Sequence, residues 1–387
     1  FERLRKDAAA GIDEVTKAEY AANLMENLQE LVNRLHRMSY RPQPVRRVYI
    51  PKPGSAKQRP LGIPALEDKL VQAGLVRILQ AVYEQDFIDD SYGFRPERSC
   101  HDALRALSQT VENHPVNWIV EADIRGFFDN VDQGHLMAFV AHRIGDKRIQ
   151  RYIRRFLKAG IQEDGEWRAS ERGTPQGGVI SPLLANLYLH YTLDLWYQRR
   201  FQATCEGGSR LIRYADDFVV CFEREADARR FREELEVRLG QFGLEVAPEK
   251  TQVLAFGARA QREAKARGEK LESFDFLGFT HYASRSRNGK RFRMKRKTIS
   301  KRFTAKLKAY KEWLKAHRTL PTPEIMRRTA AKLRGHYAYY GVTDNSDRIR
   351  AFTYETTRIL FKWLSRRGKR GSYNWEKFQR LLERYPL

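Results

Sequence analysis

Three aspartates of this sequence occupy positions that could hold divalent cations. Asp216 and Asp217 stand between two apolar segments in RLIRYADDFVVCF, a pattern that predicts a β-hairpin with both carboxylates at its tip. Asp123 belongs to the alternating run NWIVEADI, which predicts a strand that ends at this third carboxylate. Neighbouring carboxylates are costly to bury without a cation, and oxygen-rich clusters suit Mg²⁺. Three of them meeting at one sheet edge would suit phosphoryl transfer assisted by two metal ions, although Asp-Asp is also a common polar turn.

Two further segments have compositions that suit a phosphorylated ligand. The run VRRVYIPKPGSAKQRPLGIP predicts a basic hairpin around a loop with Lys52, Lys57 and Arg59. Such cations can stabilise a transferring phosphoryl group, or they can be ordinary solvated charges. In RGTPQGGVISP the glycines permit close approach of the backbone to a nucleotide, and Gln176 can hydrogen-bond near its sugar or phosphates. A tight loop without function is the alternative.

The pattern around these residues predicts helices interleaved with antiparallel strands. Helical spacing of apolar residues covers residues 1–40, 66–87, 101–111, 136–159 and 226–242. Two strand-like pieces follow, LEVAPEKTQVLAF and SFDFLGFTHY, and everything after about Gly289 is predicted to be helical. The sequence therefore predicts an α+β catalytic body with an appended helical bundle.

The charge of the chain is strongly positive and unevenly distributed. Its 387 residues include 72 Lys and Arg against 48 Asp and Glu, a formal net charge of +24. Residues 285–318 alone hold fifteen Lys or Arg and a single acidic residue, Glu312. Such a segment suits a polyanion as partner. Three dispersed cysteines argue against a zinc site or a disulfide framework, and the chain has no apolar run long enough to predict a membrane span.

Taken in order, the motifs of the chain resemble those of a group II intron-encoded reverse transcriptase of the bacterial maturase type. The segments that carry the resemblance are GIDEVT, IPKPGSAKQRPLGIP, SYGFRPERSCHDAL, EADIRGFFDNVD, RGTPQGGVISPLLANLYLH, RYADDFVVCF, LEVAPEKTQVLAF, FDFLGF and GHYAYYGV. YADD preceded by PQGG, with DIRGFFD upstream, is the specific combination, and the resemblance covers essentially the whole chain.

The resemblance implies roles for individual residues. Asp123, Asp216 and Asp217 would be the catalytic metal ligands, joined by the backbone carbonyl of Ile124. Phe128 would be the steric gate that closes the space of a ribose 2′-hydroxyl, or else a core aromatic beside Phe127. The remaining nucleotide-binding residues would be Lys52, Arg59, Gln176 and Lys250. Template–primer contacts would come from a primer-grip segment with Phe276, Leu277 and Gly278, although core aromatics alternating along a strand would look the same. The basic tail would contribute Lys295, Arg296, Lys301, Lys306 and Lys308, unless these cations only face solvent.

The same resemblance implies a right-hand polymerase fold. Residues 1–44 would form an N-terminal helical extension of the fingers, 45–285 the fingers and the palm with its antiparallel sheet, and 286–387 a basic helical thumb or maturase domain X.

The implied activity is RNA-directed DNA polymerisation with two Mg²⁺ ions, for which Mn²⁺ could substitute. The implied partners are an RNA template, a DNA primer, deoxynucleoside triphosphates and a group II intron RNA whose splicing and retrohoming the chain would assist. We expect a ribonucleoprotein in a bacterial or archaeal cytoplasm, without a membrane partner. Two alternatives stay open: a domesticated enzyme of CRISPR adaptation, phage defence or DNA repair, and a polymerase-inactive RNA-binding maturase.

Overall fold

The strand that leads to Asp123 lies inside a four-stranded antiparallel sheet. In this computed structural model, which describes residues 1–51, 58–174, 177–367 and 373–387, the strand order of this sheet is β6-β7-β3-β8. Its strands are β3 (Trp118–Ala122), β6 (Ser209–Tyr214), β7 (Asp217–Phe222) and β8 (Gln252–Ala255). Ile119 and Val120 are consecutive on β3 and point to opposite faces, and both are fully buried, so both faces of the sheet are covered.

A second sheet carries the basic hairpin. It consists of β1 (Val45–Pro51), β2 (Gln58–Ile63), β4 (Ile161–Glu163) and β5 (Glu166–Arg168), in the order β2-β1-β4-β5. β1 and β2 are antiparallel, with Ile50 opposite Arg59. The start of β1 also pairs with β4 in parallel, with Val45 opposite Ile161. The predicted hairpin is therefore present on both sides of residues 52–57.

Helices cover the two sheets and supply most of the core of this part of the chain. They are α1 (Lys17–Ala22), α2 (Leu24–His36), α3 (Leu66–Tyr83), α4 (Cys100–Asn113), α5 (Phe127–Asn130), α6 (Gln133–Arg143), α7 (Lys147–Lys158), α8 (Ser181–Leu189), α9 (Glu225–Gly240) and α10 (Ala258–Ala266). α8 continues through two π-helical turns, His190–Asp194 and Tyr197–Phe201. Leu79, Leu136, Leu187 and Phe231 pack with the strands in one large apolar cluster.

A second compact unit holds the C-terminal part of the chain. Contacts among the described residues divide the chain between Glu272 and Ser273. The second unit has a three-stranded sheet in the order β11-β10-β9 and four helices. Its elements are β9 (Phe274–Phe276), β10 (Phe279–Arg285), β11 (Phe292–Thr298), α11 (Ser300–Ala316), α12 (Thr322–Tyr340), α13 (Ser346–Leu364) and α14 (Trp375–Arg384). Leu314, Ile325 and Leu360 are part of its own apolar core.

The structure corrects three parts of the sequence prediction. The helix expected over residues 1–40 begins at Lys17, where Thr16 and Glu19 form a reciprocal capping box. The segment after Gly289 is not helical throughout, because β11 pairs along its whole length with β10. The expected boundary after residue 285 falls between these two paired strands, whereas the division of the chain lies before β9.

Candidate active site

The three predicted metal-binding aspartates come together at one end of the β6-β7-β3-β8 sheet. Tyr214 and Asp217 close the β6–β7 hairpin, so Ala215 and Asp216 form its two-residue turn. Ala122 lies opposite Phe218 on β7, and the next pair in this antiparallel register is Asp123 with Asp217. The predicted hairpin tip and the predicted strand end thus meet at the same sheet edge.

Ala215 holds the turn in a conformation that alanine adopts reluctantly. Its φ is 56°, in the left-handed region that hairpin turns usually assign to glycine or asparagine. Gly93 lies against this turn so closely that a β-carbon there would come within 2.2 Å of the Ala215 nitrogen. Only glycine leaves room at position 93, so SYGFRP is part of the support of the carboxylates.

A fully buried arginine fixes this turn, and sequence reasoning did not find it. Arg213, in β6, donates from Nη1 to the Ala215 carbonyl over 2.9 Å and from Nε to Asp194 Oδ1 over 2.7 Å. Asp194 is itself fully buried in the first π-helical turn after α8. Further bonds from the guanidinium reach Asn186 and Ser91. The sequence signal was slight: Arg213 directly follows the apolar Leu211 and Ile212 in β6, and an arginine buried among apolar residues needs an acidic partner.

Charged side chains of both signs surround the turn. Lys250 donates from Nζ to Asp123 Oδ2, and this hydrogen bond raises the pKa of Lys250. Burial raises the pKa of the half-buried Asp216 carboxyl, the charge of Asp123 adds to this effect, and Arg59 and Arg213 oppose it. Asp217 is exposed. The site thus unites carboxylates that repel one another with the cations Lys250 and Arg59, both predicted to bind nucleotide.

This donor set fits a divalent cation by its chemistry. Carboxylate oxygens are hard ligands, and burial together with the charge of Asp123 raises the pKa of Asp216, so a bound cation would favour its ionised form. Ile124 forms an isolated β-bridge with Val246. The two hydrogen bonds of this bridge join Ala247 N–H to the Asp123 carbonyl and Arg125 N–H to the Glu245 carbonyl. The bridge therefore does not use the carbonyl of Ile124, the predicted metal ligand. Within the described residues no three His, Cys, Asp or Glu side chains already form a complete metal cage. The carboxylates would therefore have to adjust around an ion.

Phe128 lines a cavity of about 300 Å³ next to the basic hairpin. The cavity is also lined by Arg47, Pro60 and Gly62 from β1 and β2, and by residues 169–174. Phe128 is half-buried on the short helix α5, with its ring 5.4 Å from that of Phe127. Phe127 is buried in the core, whereas Phe128 packs against the edge of the core and also lines the cavity.

Two predicted nucleotide-binding residues, Lys52 and Gln176, lie outside the described residues. The structure describes the residues on either side of these two segments. Gly177 lies against β2, where a β-carbon would come within 2.4 Å of the Gly62 carbonyl, and its φ is 106°. On the other side of the loop, Thr174 N–H donates to the Phe128 carbonyl over 2.8 Å. The glycine-rich segment therefore links the basic hairpin to the helix that carries Phe128.

The predicted primer-grip residues form the turn between β9 and β10 in the second unit. Phe276 is buried, and Leu277 and Gly278 both have positive φ, 47° and 84°. Tyr339, in α12, donates its hydroxyl to the Leu277 carbonyl over 2.9 Å. The turn is thus supported by its own unit, and its apolar side chains contribute to that unit's interior.

The five predicted cations of the basic tail have different surroundings. Lys301 and Lys308 are exposed on α11. Lys306 is also exposed, but its ammonium lies 4.5 Å from the Tyr340 ring centre, and desolvation together with Arg302 lowers its pKa. Lys295 and Arg296 lie on β11 instead of the predicted helix and alternate between its faces. Arg296 neighbours the buried His281 and has a buried Nε, so it is less suited to binding phosphate than Lys295.

Comparison with known proteins identifies relatives of the chain. Group II intron-encoded protein LtrA of Lactococcus lactis subsp. cremoris is 47% identical over 165 residues, which are 43% of this chain and 27% of LtrA. Protein YkfC of Escherichia coli is 38% identical over 273 residues, which cover 63% of this chain and 71% of YkfC. Among solved structures, telomerase from Candida albicans aligns with 95% of this chain at 14% identity and a TM-score of 0.48. The chain spans about a quarter of the length of LtrA.

The model of the family described as reverse transcriptase (RNA-dependent DNA polymerase) matches residues 50–281, well over half of the chain. This range contains all three aspartates, Phe128 and the β6–β7 hairpin. Both the resemblance to group II intron-encoded proteins and the α+β polymerase fold predicted from sequence are thereby confirmed. The chain belongs to the reverse transcriptase family.

Proposed function

We propose that this chain is an RNA-directed DNA polymerase that extends a DNA primer on an RNA template. The observation that carries the proposal is that Asp123, Asp216 and Asp217 lie at one edge of the same sheet. Lys250 donates a hydrogen bond to Asp123 there. A retained carboxylate triad also argues against the polymerase-inactive maturase, because the strained turn and the mutual repulsion have no structural benefit of their own.

In this mechanism each residue has a role that follows from its position. Asp123, Asp216 and Asp217 would hold two Mg²⁺ ions, or Mn²⁺ as a substitute, which when bound activate the primer 3′-hydroxyl and stabilise the leaving pyrophosphate. Arg59, with Lys52 and Gln176, would bind the triphosphate, since cations placed beside developing phosphoryl charge lower the barrier. Lys250 lies beside the carboxylates, and its ammonium would stabilise the negative charge that develops on the leaving pyrophosphate. Phe128 would exclude the ribose 2′-hydroxyl.

For the nucleic acid partner we propose a group II intron RNA in addition to the template. This proposal is supported by the similarity to LtrA, whose name describes it as group II intron-encoded, and by the net charge of +24. The protein would then act in a ribonucleoprotein of the bacterial cytoplasm and assist splicing and retrohoming. A domesticated enzyme that copies other templates is the alternative. Sequencing of RNA that copurifies with the native protein separates them, since intron RNA should dominate in the first case.

The polymerase activity is tested by Asp217→Ala. We expect primer extension on an RNA template to fall by at least about 100-fold, because the change removes metal-binding charge from an exposed turn. Folding and RNA affinity should stay near those of the unaltered protein, since no core volume is lost. Asp7→Ala, at an exposed position away from the triad in sequence, serves as the control. Undiminished extension by Asp217→Ala would refute the assignment of the site.

A further inference from the structure

Helix α7 carries a basic face that the proposed catalytic site does not use. Its sequence KRIQRYIRRFLK holds six cations and no acidic residue. Five of the cations are exposed. They are Lys147, Arg148, Arg151, Arg154 and Lys158. Four of the five, Lys147, Arg151, Arg154 and Lys158, follow one another at intervals of three or four residues, so they form a stripe along one side of the helix.

The opposite side of α7 is fixed to the core. Tyr152, Ile153, Phe156 and Leu157 are buried in the large apolar cluster. The sixth cation, Arg155, points inward and donates from Nη1 to the Met38 carbonyl, 2.9 Å away, and to the Tyr40 carbonyl. The helix therefore cannot rotate to hide its cations, and the basic face is a rigid surface.

Among the residues that the structure describes, no acidic side chain pairs with the exposed cations of this face. The acid next to it in sequence, Asp146, uses its carboxylate as the helix N-cap for the Arg148 and Ile149 N–H groups. Cations of neighbouring elements take other acids: Arg143 pairs with Asp86, and Arg168 with Glu163. In the part of the chain that the structure describes, none of the five exposed cations has an acidic partner within 4 Å.

The arrangement works against the stability of the helix. Lys147 and Arg148 stand in the first turn, where the helix dipole disfavours positive charge. Lys147 with Arg151 and Arg154 with Lys158 are like-charge pairs four residues apart, which destabilise a helix. A solvated surface helix usually alternates charges of opposite sign instead. Local conflicts of this kind are expected where a surface serves a partner.

We propose that the α7 face binds the phosphate backbone of a folded RNA outside the catalytic site. Phosphates supply the negative charge that the face lacks, and arginine matches them with two parallel hydrogen bonds. The exposed Arg37 and Arg41 belong to the segment that the inner side of α7 contacts through hydrogen bonds to Leu35, Met38 and Tyr40, and they add to the positive charge of this part of the chain. The choice of RNA as the polyanion rests on the proposed function, in which RNA is already the template.

The test is a salt titration of binding to a blunt RNA duplex of 20 base pairs, which offers no primer terminus to extend. The variant carries Gln in place of the four stripe residues Lys147, Arg151, Arg154 and Lys158. We expect its affinity to fall about tenfold at physiological salt, and the slope of log affinity against log salt to fall by about 3. The charge-conserving variant Arg151→Lys, Arg154→Lys should keep the slope.

A matched control removes the same amount of charge elsewhere. Arg232, Arg262, Lys265 and Lys270 are exposed, and changing them to Gln should leave RNA-duplex binding unaltered. The thermal midpoint of the α7 variant should equal or exceed that of the unaltered protein, because repulsions are removed. If the variant does not fold, the single change Arg151→Gln should still lower the slope by about 0.7 to 0.9.

Polymerase activity is read separately. At saturating template–primer, the α7 variant should add a single nucleotide at a rate within about twofold of the unaltered protein. An unchanged salt slope, an equal loss in the matched control, or equal weakening for an acidic polypeptide such as polyglutamate would overturn the inference. If the unaltered protein extends no primer, the proposed polymerase function fails, and the duplex titration still decides whether the α7 face binds RNA.

Discussion

Asp216 is the residue at which the demands of chemistry and of stability conflict most clearly. Its carboxyl is half-buried beside Asp123, and burial raises its pKa. A raised pKa means that at pH 7 the ionised form, which a metal requires, weakens the fold in the absence of a cation. This conflict is the physical signature of a site built for a ligand that neutralises it.

We therefore predict that Asp216→Asn stabilises the protein while abolishing primer extension. Without divalent ions the thermal midpoint should rise by roughly 1 to 3 °C, because the amide needs no compensating charge. Addition of Mg²⁺ should raise the midpoint of the unaltered protein more than that of the variant and so reduce the difference. Melting curves with and without Mg²⁺ measure both effects. A lower midpoint for Asp216→Asn under both conditions would contradict the electrostatic account.

Phe128 gives a second prediction at the residue scale. Because Phe127 is buried in the core and Phe128 packs against its edge, Phe128→Val should remove volume from the cavity wall with little loss of stability. We expect the preference for deoxyribonucleotides over ribonucleotides to fall by at least about tenfold, since the smaller side chain leaves space for a 2′-hydroxyl. Competition between the two substrates measures the preference, and Phe127→Val is the comparison that should cost stability instead. Unchanged selectivity would make Phe128 a packing residue.

At the scale of elements, the β6–β7 hairpin and the helix α8 with its π-helical turns together stabilise the turn that carries Asp216. The hairpin supplies Arg213, and the first π-helical turn supplies Asp194. Their buried ion pair brings a guanidinium to the Ala215 carbonyl and holds the left-handed turn that carries Asp216. Backbone strain of this kind persists only where the surroundings over-determine it.

The double variant Arg213→Met, Asp194→Leu tests whether this ion pair positions the carboxylates. Replacement of both partners should leave stability within about 1 to 2 kcal/mol, whereas Arg213→Met alone should cost about 3 to 5 kcal/mol because Asp194 stays buried without its cation. We expect the double variant to bind template–primer normally but to extend it about 10- to 100-fold more slowly, with a higher Mg²⁺ requirement. Ser91→Ala, which removes a partner of Arg213 that does not belong to the turn, is the control. Full activity of the folded double variant would show that the turn needs no such support.

Elements also show why some of the fold could be predicted and some could not. The β6–β7 hairpin, β3 and the basic hairpin follow from alternation and turn composition, which are local signals. β11 has no such signal, because its buried Met294 and Thr298 are four residues apart, which suits a helix as well as a strand, and only pairing with β10 reveals the strand. The start of α1 could have been placed, since Thr16 and Glu19 are a capping-box pair in the sequence. The Arg213–Asp194 pair depends on tertiary packing and has no local pattern.

On the scale of the whole molecule, the two units differ in what they bury. The first unit buries its charges in ion pairs, as at Arg213 with Asp194. It also buries His190 next to this pair. The second unit buries two histidines against aromatic rings. His281 stacks on Phe274 with ring centres 5.0 Å apart, and His336 stacks on Phe352 at 3.7 Å. Burial, reinforced by Arg296, lowers the pKa of His281 to about 3, and burial with Lys306 lowers that of His336 to about 4.

These histidines make the second unit sensitive to acid. In the folded protein both rings stay neutral at pH 5, whereas in the unfolded chain they take up protons below about pH 6.5. Their contribution to stability is therefore complete above about pH 6.5 and is lost as the pH falls towards the lowered pKa values.

We predict that the double variant His281→Phe, His336→Phe, whose rings can stack but not titrate, loses less thermal stability between pH 7 and pH 5 than the unaltered protein. The difference between the two shifts in midpoint should be on the order of 10 °C. His36→Gln, at an exposed position, should shift with pH as the unaltered protein does. Parallel curves for the double variant and the unaltered protein would mean that protons reach both rings in the folded state, and that the acid sensitivity of the second unit lies in other groups.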